Sequence, residues 1–342
     1  MMSASQPGRI NVARLLAILG PVLALLLLWV GFGVAVAAHA GPEAADRWHF
    51  FSIFNQKIML EQSAIVIIAA CGMTMIIVSG GIDLSVGSVI ALCCVVSALA
   101  MRAGWGPWGA VGAAIATGAV SGAINGAIIS WGRLVPFIVT LGMMGVARGL
   151  AKRLADNQSV NFEDESLAPL MHTGMAGPHT SVLGNLLSVA PGVWIALALV
   201  LLTGLFMART VFGRYIYALG SNEAAARLCG IAVPRTKFLI YVLAGALVGL
   251  GGALETAKLS VGDPSTATGR ELDVIAAVVI GGASLSGGVG TVFGAIIGAL
   301  ITAVLHSGCT QLERPNSDQD IIIGVVIVLA VAVDEFRRRR RV

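Results

Sequence analysis

Apolar segments of about the length that crosses a lipid bilayer recur along nearly the whole chain, and this recurrence decides the fold class. Ten are placed, at residues 15–38, 60–79, 84–101, 108–130, 136–151, 190–208, 237–257, 272–284, 290–306 and 320–336. A spanning helix needs about 20 apolar residues, so the fifth and eighth are short for a full crossing. None alternates with the two-residue period of a barrel strand, and helix is the other state that satisfies its backbone in lipid. The expectation is an all-α polytopic membrane bundle of about ten transmembrane helices. Composition bears on this at one point: only 12% of the residues are charged, where soluble domains average about 25%. That is too little polar surface to cover a soluble fold of this size. The 43 glycines suit helices that pack closely in lipid.

Orientation follows from the basic residues. Arg9 and Arg14 precede the first apolar run, and Ala38-His39-Ala40 looks like a signal-peptidase site. The run is nevertheless far longer than the roughly 7–15 residues of a signal h-region, so it reads as a retained span. Ten spans put both termini on one side. That side holds Arg9, Arg14, Arg133, Arg209, Arg214, Arg227, Arg235, Lys237 and the arginine run 337–341, which is 13 of the 22 Lys and Arg residues. The excess places both termini in the cytoplasm. The expected division is a cytoplasmic segment 1–14, a permease domain 15–336 and a basic tail 337–342.

Several chemistries lack their residues. There is no G-x-x-x-x-G-K-[ST] loop for nucleotide phosphates, no H-E-x-x-H helix and no nucleophile elbow. The five cysteines show neither a metal-ligand spacing nor a disulfide framework. No metal site and no catalytic residue is expected.

Two polar segments carry more information. Between the sixth and seventh spans, Ser221-Asn222-Glu223-Ala224-Ala225-Ala226-Arg227-Leu228-Cys229-Gly230 reads as a two-turn helix. Ser221 or Asn222 caps it, Glu223 suits the positive end of its dipole, and Glu223 and Arg227 stand in the favourable i, i+4 order. Gly230 closes it in the left-handed conformation, and Pro234 prevents regrowth. So short a helix needs something to pack against. Either it merely joins two spans at the interface, or it docks a cytoplasmic partner.

The second is Gly80-Gly81-Ile82-Asp83-Leu84-Ser85-Val86-Gly87, a glycine break with a carboxylate between two apolar runs. Asp83 reads first as the N-cap of the following span, then as a pathway-lining group or a proton relay. Gly281-Gly282-Ala283-Ser284-Leu285-Ser286 repeats the GG-x-x-L-S pattern, as internal repeats of transporters do, although glycine-rich sequence produces such matches by chance. Glu271 and Asp273 stand at the start of the eighth span. Asn125 reads as glue between helices.

Taken in order, these motifs make a family pattern. It runs from Gly72-Met73-Thr74 and Ser79-Gly80-Gly81-Ile82-Asp83-Leu84-Ser85-Val86-Gly87-Ser88, through Asn125-Gly126, Pro136-Phe137-Ile138-Val139-Thr140-Leu141-Gly142-Met143 and Arg148-Gly149. It continues to Ala218-Leu219-Gly220-Ser221-Asn222-Glu223-Ala224-Ala225-Ala226-Arg227, Glu271-Leu272-Asp273 and Gly281-Gly282-Ala283-Ser284-Leu285-Ser286-Gly287-Gly288. Over about residues 61–334 the chain resembles the permease subunits of ribose-type (monosaccharide) ATP-binding-cassette importers. The segment 311–316 and the arginine tail depart from that pattern.

The resemblance implies a bacterial inner-membrane subunit that works as a pair, with itself or with a sister permease. A periplasmic sugar-binding protein would deliver substrate and a separate cytoplasmic ATPase would use ATP, so this chain binds no cofactor and is not an enzyme. The coupling helix to the ATPase is then Ser221, Asn222, Glu223, Ala224, Ala225, Arg227 and Gly230. Candidates for the pathway or gate are Gly80, Gly81, Asp83, Ser85, Asn125, Phe137 and Ser284. The rivals are a branched-chain amino acid permease of similar architecture, an ion-coupled secondary transporter and a membrane enzyme.

Overall fold

The structure is a computed structural model that describes residues 12–40, 47–172 and 188–339. The first residues of the expected N-terminal segment, residues 173–187 and the last residues of the basic tail lie outside the described residues. Twelve α-helices are described: α1 Val12–Ala40, α2 Ile53–Val78, α3 Val86–Arg102, α4 Gly106–Ser130, α5 Pro136–Leu154, α6 Pro191–Arg209, α7 Val211–Ser221, α8 Glu223–Leu228, α9 Val233–Leu259, α10 Arg270–Ile280, α11 Val292–Gln311 and α12 Asn316–Arg339. Among the described residues the only β pairing is an isolated bridge between Val160 and Gly262. The chain is a helical bundle, as its sequence requires.

Among the described residues six helices are long and apolar enough to cross a membrane: α1 (from Gly20), α2, α4, α6, α9 and α11. The 17-residue α3 is a shorter apolar helix. The eighth expected segment becomes α10, with 11 residues. At 1.5 Å per residue it is about 16 Å long, half the roughly 30 Å hydrocarbon core.

The centre of the bundle is α9, which packs against α4, α2 and α3. Its contact with α4 is made backbone to backbone. A Cβ on Gly118 would overlap Gly245 and Gly249, and one on Gly122 would overlap Tyr241. Spaced four apart, these glycines let the helix axes approach as closely as they do, so dispersion contacts replace the hydrophobic driving force that lipid does not supply.

Helix pairings reveal an internal symmetry. Exchanging α2 with α9, α3 with α10, α4 with α11 and α5 with α12 maps contacting pairs onto contacting pairs. The contact α2–α11 mirrors α9–α4, α2–α10 mirrors α9–α3, and α3–α5 mirrors α10–α12. In each half a long helix ends, an irregular stretch turns back into the bundle, and a shorter helix starts part-way along. These stretches are residues 79–85 and 260–269.

Depth can be read from neighbours. Gly252, near the far end of α9, lies on Cys93, in the second turn of α3. By helix rise, α3 therefore begins about 18 Å above the end of the bundle that carries α8. Gly298 of α11 lies on Ala277 of α10, which sets α10 in the half near α8. Its start meets the start of α3: a Cβ on Gly87 would overlap the Glu271 carboxylate. The two halves thus run in opposite directions, and their discontinuous helices meet N-terminus to N-terminus near mid-depth.

This symmetry corrects the repeat suggested by GG-x-x-L-S. Residues 281–291 join α10 to α11, whereas residues 79–85 lead from α2 into α3, so the two pieces are not counterparts. The left-handed glycine after each helix also falls at different places in the pattern, Gly80 (φ 86°) and Gly282 (φ 93°).

Candidate functional site

The short helix α8 forms as its local sequence dictates. Asn222, not Ser221, is the cap: its Oδ1 accepts the Ala225 N–H at 2.9 Å, while Ser221 ends α7. At the other end Gly230 (φ 81°) donates to Arg227 O and Ile231 N–H donates to Ala226 O, the paired bonds of a left-handed glycine cap. Glu223 accepts from Arg227 at 3.2 Å and from Lys237 at 2.7 Å. These bonds, the Lys237 one first, hold the Glu223 carboxyl below its ordinary value. Lys237 belongs to α9, so the pair ties α8 to the central helix.

Two features here, the surface beside α8 and the helix α7, were not read from sequence. Leu228, the last residue of α8, is 90% exposed. A cavity of about 350 Å³ beside α8 is lined by Arg133, Leu134, Pro136, Glu223, Arg227 and Lys237, among others. The second feature is α7, whose Thr210 cap accepts the Gly213 N–H at 3.0 Å and which buries Gly213, Ile216 and Leu219. That three-residue spacing was the available signal for a one-sided helix.

The end of α7 joins α8 to both glycine motifs. A Cβ on Gly220 would overlap Val78 O and Gly288 N, and one on Gly287 would stand 2.9 Å from Gly220 Cα and 3.1 Å from Gly80 Cα. Gly288 N–H donates to Val78 O at 2.8 Å. Three segments distant in sequence therefore meet through bare backbone immediately before α8. Where Gly220 meets Val78, Gly287 and Gly288 the contact is backbone on backbone, so displacement of one segment is passed to the others by steric contact.

Beyond the junction, residues 80–85 run into the bundle. Asp83 is buried but does not cap α3. The N-cap is Ser85, which has no side-chain cap bond; Asp83 Oδ1 instead accepts Ser85 N–H at 2.8 Å and Ser85 Oγ–H at 2.6 Å. The helix starts two residues later than the cap reading required, and the carboxylate closes the turn ahead of it. Asn125 Nδ2 donates to Ser85 Oγ at 3.2 Å, and Leu84 N–H donates to Thr140 Oγ1 at 3.1 Å. Gly80, Gly81, Asp83, Ser85 and Asn125 thus form one cluster. Asn125 Oδ1 and the nearby Tyr241 hydroxyl are buried without partners in it.

The other two gate candidates lie elsewhere. Ser284 is buried in the α10–α11 loop, its N–H donating to Val289 O at 3.0 Å. Phe137 is exposed at the start of α5. On that helix Gly142, Gly145 and Gly149 are exposed too, with open space where a Cβ would stand.

The opposite break repeats the turn. Asp263 Oδ1 accepts Ser265 N–H at 2.8 Å and Ser265 Oγ–H at 2.6 Å, the bonds of Asp83 and Ser85 over again. It is held differently: Arg148 Nη1 donates to Pro264 O at 2.9 Å and Thr266 O at 2.7 Å, and Thr266 Oγ1 donates to Glu255 Oε1 at 2.8 Å. Ser260 (φ 54°) and Ala267 (φ 56°) occupy left-handed backbone conformations, which cost non-glycine residues of order 1–3 kcal/mol each unless their surroundings hold them. Arg148 supplies such a hold.

The family model described as "Branched-chain amino acid transport system / permease component" matches residues 57–331. The chain is 42% identical to the ribose import permease protein of Escherichia coli K12 over 313 residues, 92% of each chain. Identity to the ribose import permease protein of Bacillus subtilis 168 is 38% over 331 residues, 96% of each chain. It is 32% to the L-arabinose transport system permease protein of Escherichia coli K12 over 296 residues, 86% of each. No solved structure matches.

Proposed function

The chain belongs to the branched-chain amino acid transport system / permease component family, as a permease of the ribose type, and from that premise we propose how it works in sugar import. It is a multi-pass protein of the bacterial inner membrane and the permease subunit of a sugar ATP-binding-cassette importer. The observation that carries this is end-to-end similarity to ribose and arabinose permeases. The family description names amino acids, but relatives aligned over nearly the whole chain are named for pentoses, which favours a monosaccharide.

In our reading ten membrane segments, with α10 a partial one, leave both termini in the cytoplasm. A separate ATPase binds ATP, a periplasmic protein delivers the sugar, and two permease copies or sister permeases enclose the pathway. No cofactor is held by this chain. The ATPase docks on α8, where exposed Leu228 offers an apolar anchor beside the cavity lined by Arg133 and Arg227. Nucleotide must favour one state of the transporter over another, and this chain passes on that difference. Its route is α8, the Gly220 junction, and then the break carrying Asp83 and the α10–α11 loop carrying Ser284. The exposed face of α5, with Phe137 and its open glycines, suits the pathway or the partner permease.

Reconstitution in vesicles with the ATPase and the binding protein tests the reading. ATP-dependent uptake of a labelled pentose or hexose, unchanged when the proton gradient is collapsed, is the expected result. Gradient-driven uptake without ATP would make the chain a secondary transporter, and uptake of leucine in place of sugars would reject the substrate class.

A further inference from the structure

Because α10 is only half-length, space is left above its start. A cavity of about 230 Å³ occupies that space, at the end of the bundle opposite α8, between α2, α9, α10, α11 and α12. Its lining is polar, with Ser63, Thr302 and Thr310 among the hydroxyls and Gln62 among the amides.

Charge in this cavity is unbalanced. Lys258, at the end of α9, and Arg270, the first residue of α10, both line it. Among the described residues neither side chain makes a hydrogen bond or an ion pair. The one carboxylate in the lining is Asp273, and it is engaged: His306 Nε2 lies 3.3 Å from its Oδ1, while His306 Nδ1 lies 2.7 Å from Gln319 Oε1. Glu255 and Glu61 attract Lys258 from outside the lining, without an ion pair to it. Glu255 accepts from Thr266, and the Glu271 carboxylate lies against Gly87, on the α3 side of α10. Two half-buried cations facing one polar cavity repel each other, and a bound anion relieves both that repulsion and their unmet hydrogen bonds.

We propose that this cavity binds a small phosphate-type oxyanion, held by Lys258 and Arg270 and hydrogen-bonded by the Gln62 side-chain amide. Arginine grips two oxygens in a fixed fork while lysine supplies a compact charge. Bound there, the anion joins the end of α9 to the start of α10 across the second break and stabilises the arrangement in which they meet. Free phosphate and the phosphate of an anionic lipid headgroup share this chemistry. The inference does not depend on the substrate reading.

The test is thermal unfolding of the full chain in lipid nanodiscs. In discs of phosphatidylcholine, sodium phosphate should raise the midpoint by several degrees over sodium chloride at matched ionic strength. If the source is lipid, discs of equal parts phosphatidylcholine and phosphatidylglycerol should show the rise without added phosphate. Either rise should vanish in Lys258→Gln/Arg270→Gln and persist in Lys258→Arg, which keeps the charge. Should the double variant fail to fold, Arg270→Gln alone should weaken the response at least several-fold. No rise in either disc, or a rise undiminished by removal of the cations, overturns the proposal.

Discussion

The two breaks, residues 79–85 and 260–269, share a plan and differ in how they are held. Each closes an Asp-x-Ser turn with the same two bonds, and each leads into a helix that starts part-way along the bundle. The first adjoins a junction of backbone contacts, where Gly220 and Gly287 leave no room for a side chain. The second is held by side chains, chiefly Arg148 and Glu255. Contacts of backbone on backbone have no rotamers to absorb a push, so they transmit displacement. A loop held by a few charged hydrogen bonds can instead be released one bond at a time. On the proposed coupling route the break beside α8 is the driven one, and the far one is the more easily released.

Altering the junction should break this contrast most severely. Gly220→Ala places a methyl on Val78 O and Gly288 N. Overpacking of this kind costs about 1–3 kcal/mol or more, and ATP-driven uptake should fall at least tenfold, or about 1.4 kcal/mol. Gly142→Ala, with open space at its Cβ, should leave unfolding unchanged, and equal damage from both would remove the special role of the junction.

Next in size is the connection of α8. Glu223→Arg sets a third cation beside Arg227 and Lys237, and should uncouple ATP hydrolysis from uptake while the protein still reaches the membrane. Normal sugar uptake by this variant would sink the coupling role.

At the far break, Arg148→Ala frees two carbonyls and should destabilise the chain by about 2–3 kcal/mol. With Ser265→Cys as reporter, an impermeant thiol reagent should label the Arg148→Ala protein several-fold faster. Unchanged labelling would mean that Arg148 is not what holds the loop.

The turns themselves should give smaller effects. Asp83→Asn retains an oxygen for the Ser85 N–H and should cost less than about 1 kcal/mol, whereas Asp83→Ala should cost about 1–2 kcal/mol by chemical denaturation. A large loss of uptake in a stable Asp83→Asn protein would instead favour a proton-carrying role.

Smallest is the pH response of α8. Its carboxyl is held below the ordinary 4.5 of Glu223, by the hydrogen bond from Lys237 first. The linked stability is therefore complete above pH 4.5 and is lost as pH falls through the lowered value. With Glu223 42% exposed, solvent screening limits it to a fraction of a kcal/mol. Thermal scans should be flat in this respect between neutral pH and pH 5 and fall only in stronger acid. In Glu223→Gln that acid-side contribution should be absent.

Much of α8 was legible because its signals are local: the cap, the i, i+4 pair and the closing glycine all act within two turns. Ser221 in place of Asn222 was a one-residue ambiguity that local sequence leaves open. Leu228 was not legible, because exposure depends on what packs nearby. The similarity of residues 80–85 to 281–286 misled, since abundant glycine and serine generate such matches. The real counterpart, Asp83-Leu84-Ser85 with Asp263-Pro264-Ser265, is two residues in three and invisible without coordinates.

By itself the sequence determined a helical membrane bundle, since apolar composition and segment length decide that state residue by residue. It also placed α8 between spans, from signals confined to the same few residues. Tertiary structure alone decided that α3 and α10 meet end to end, that three distant glycine segments touch, and that half of one segment gives way to a cavity with two cations. Those features depend on which helices approach and how closely, and such approach arises from long-range packing that no short stretch of sequence encodes.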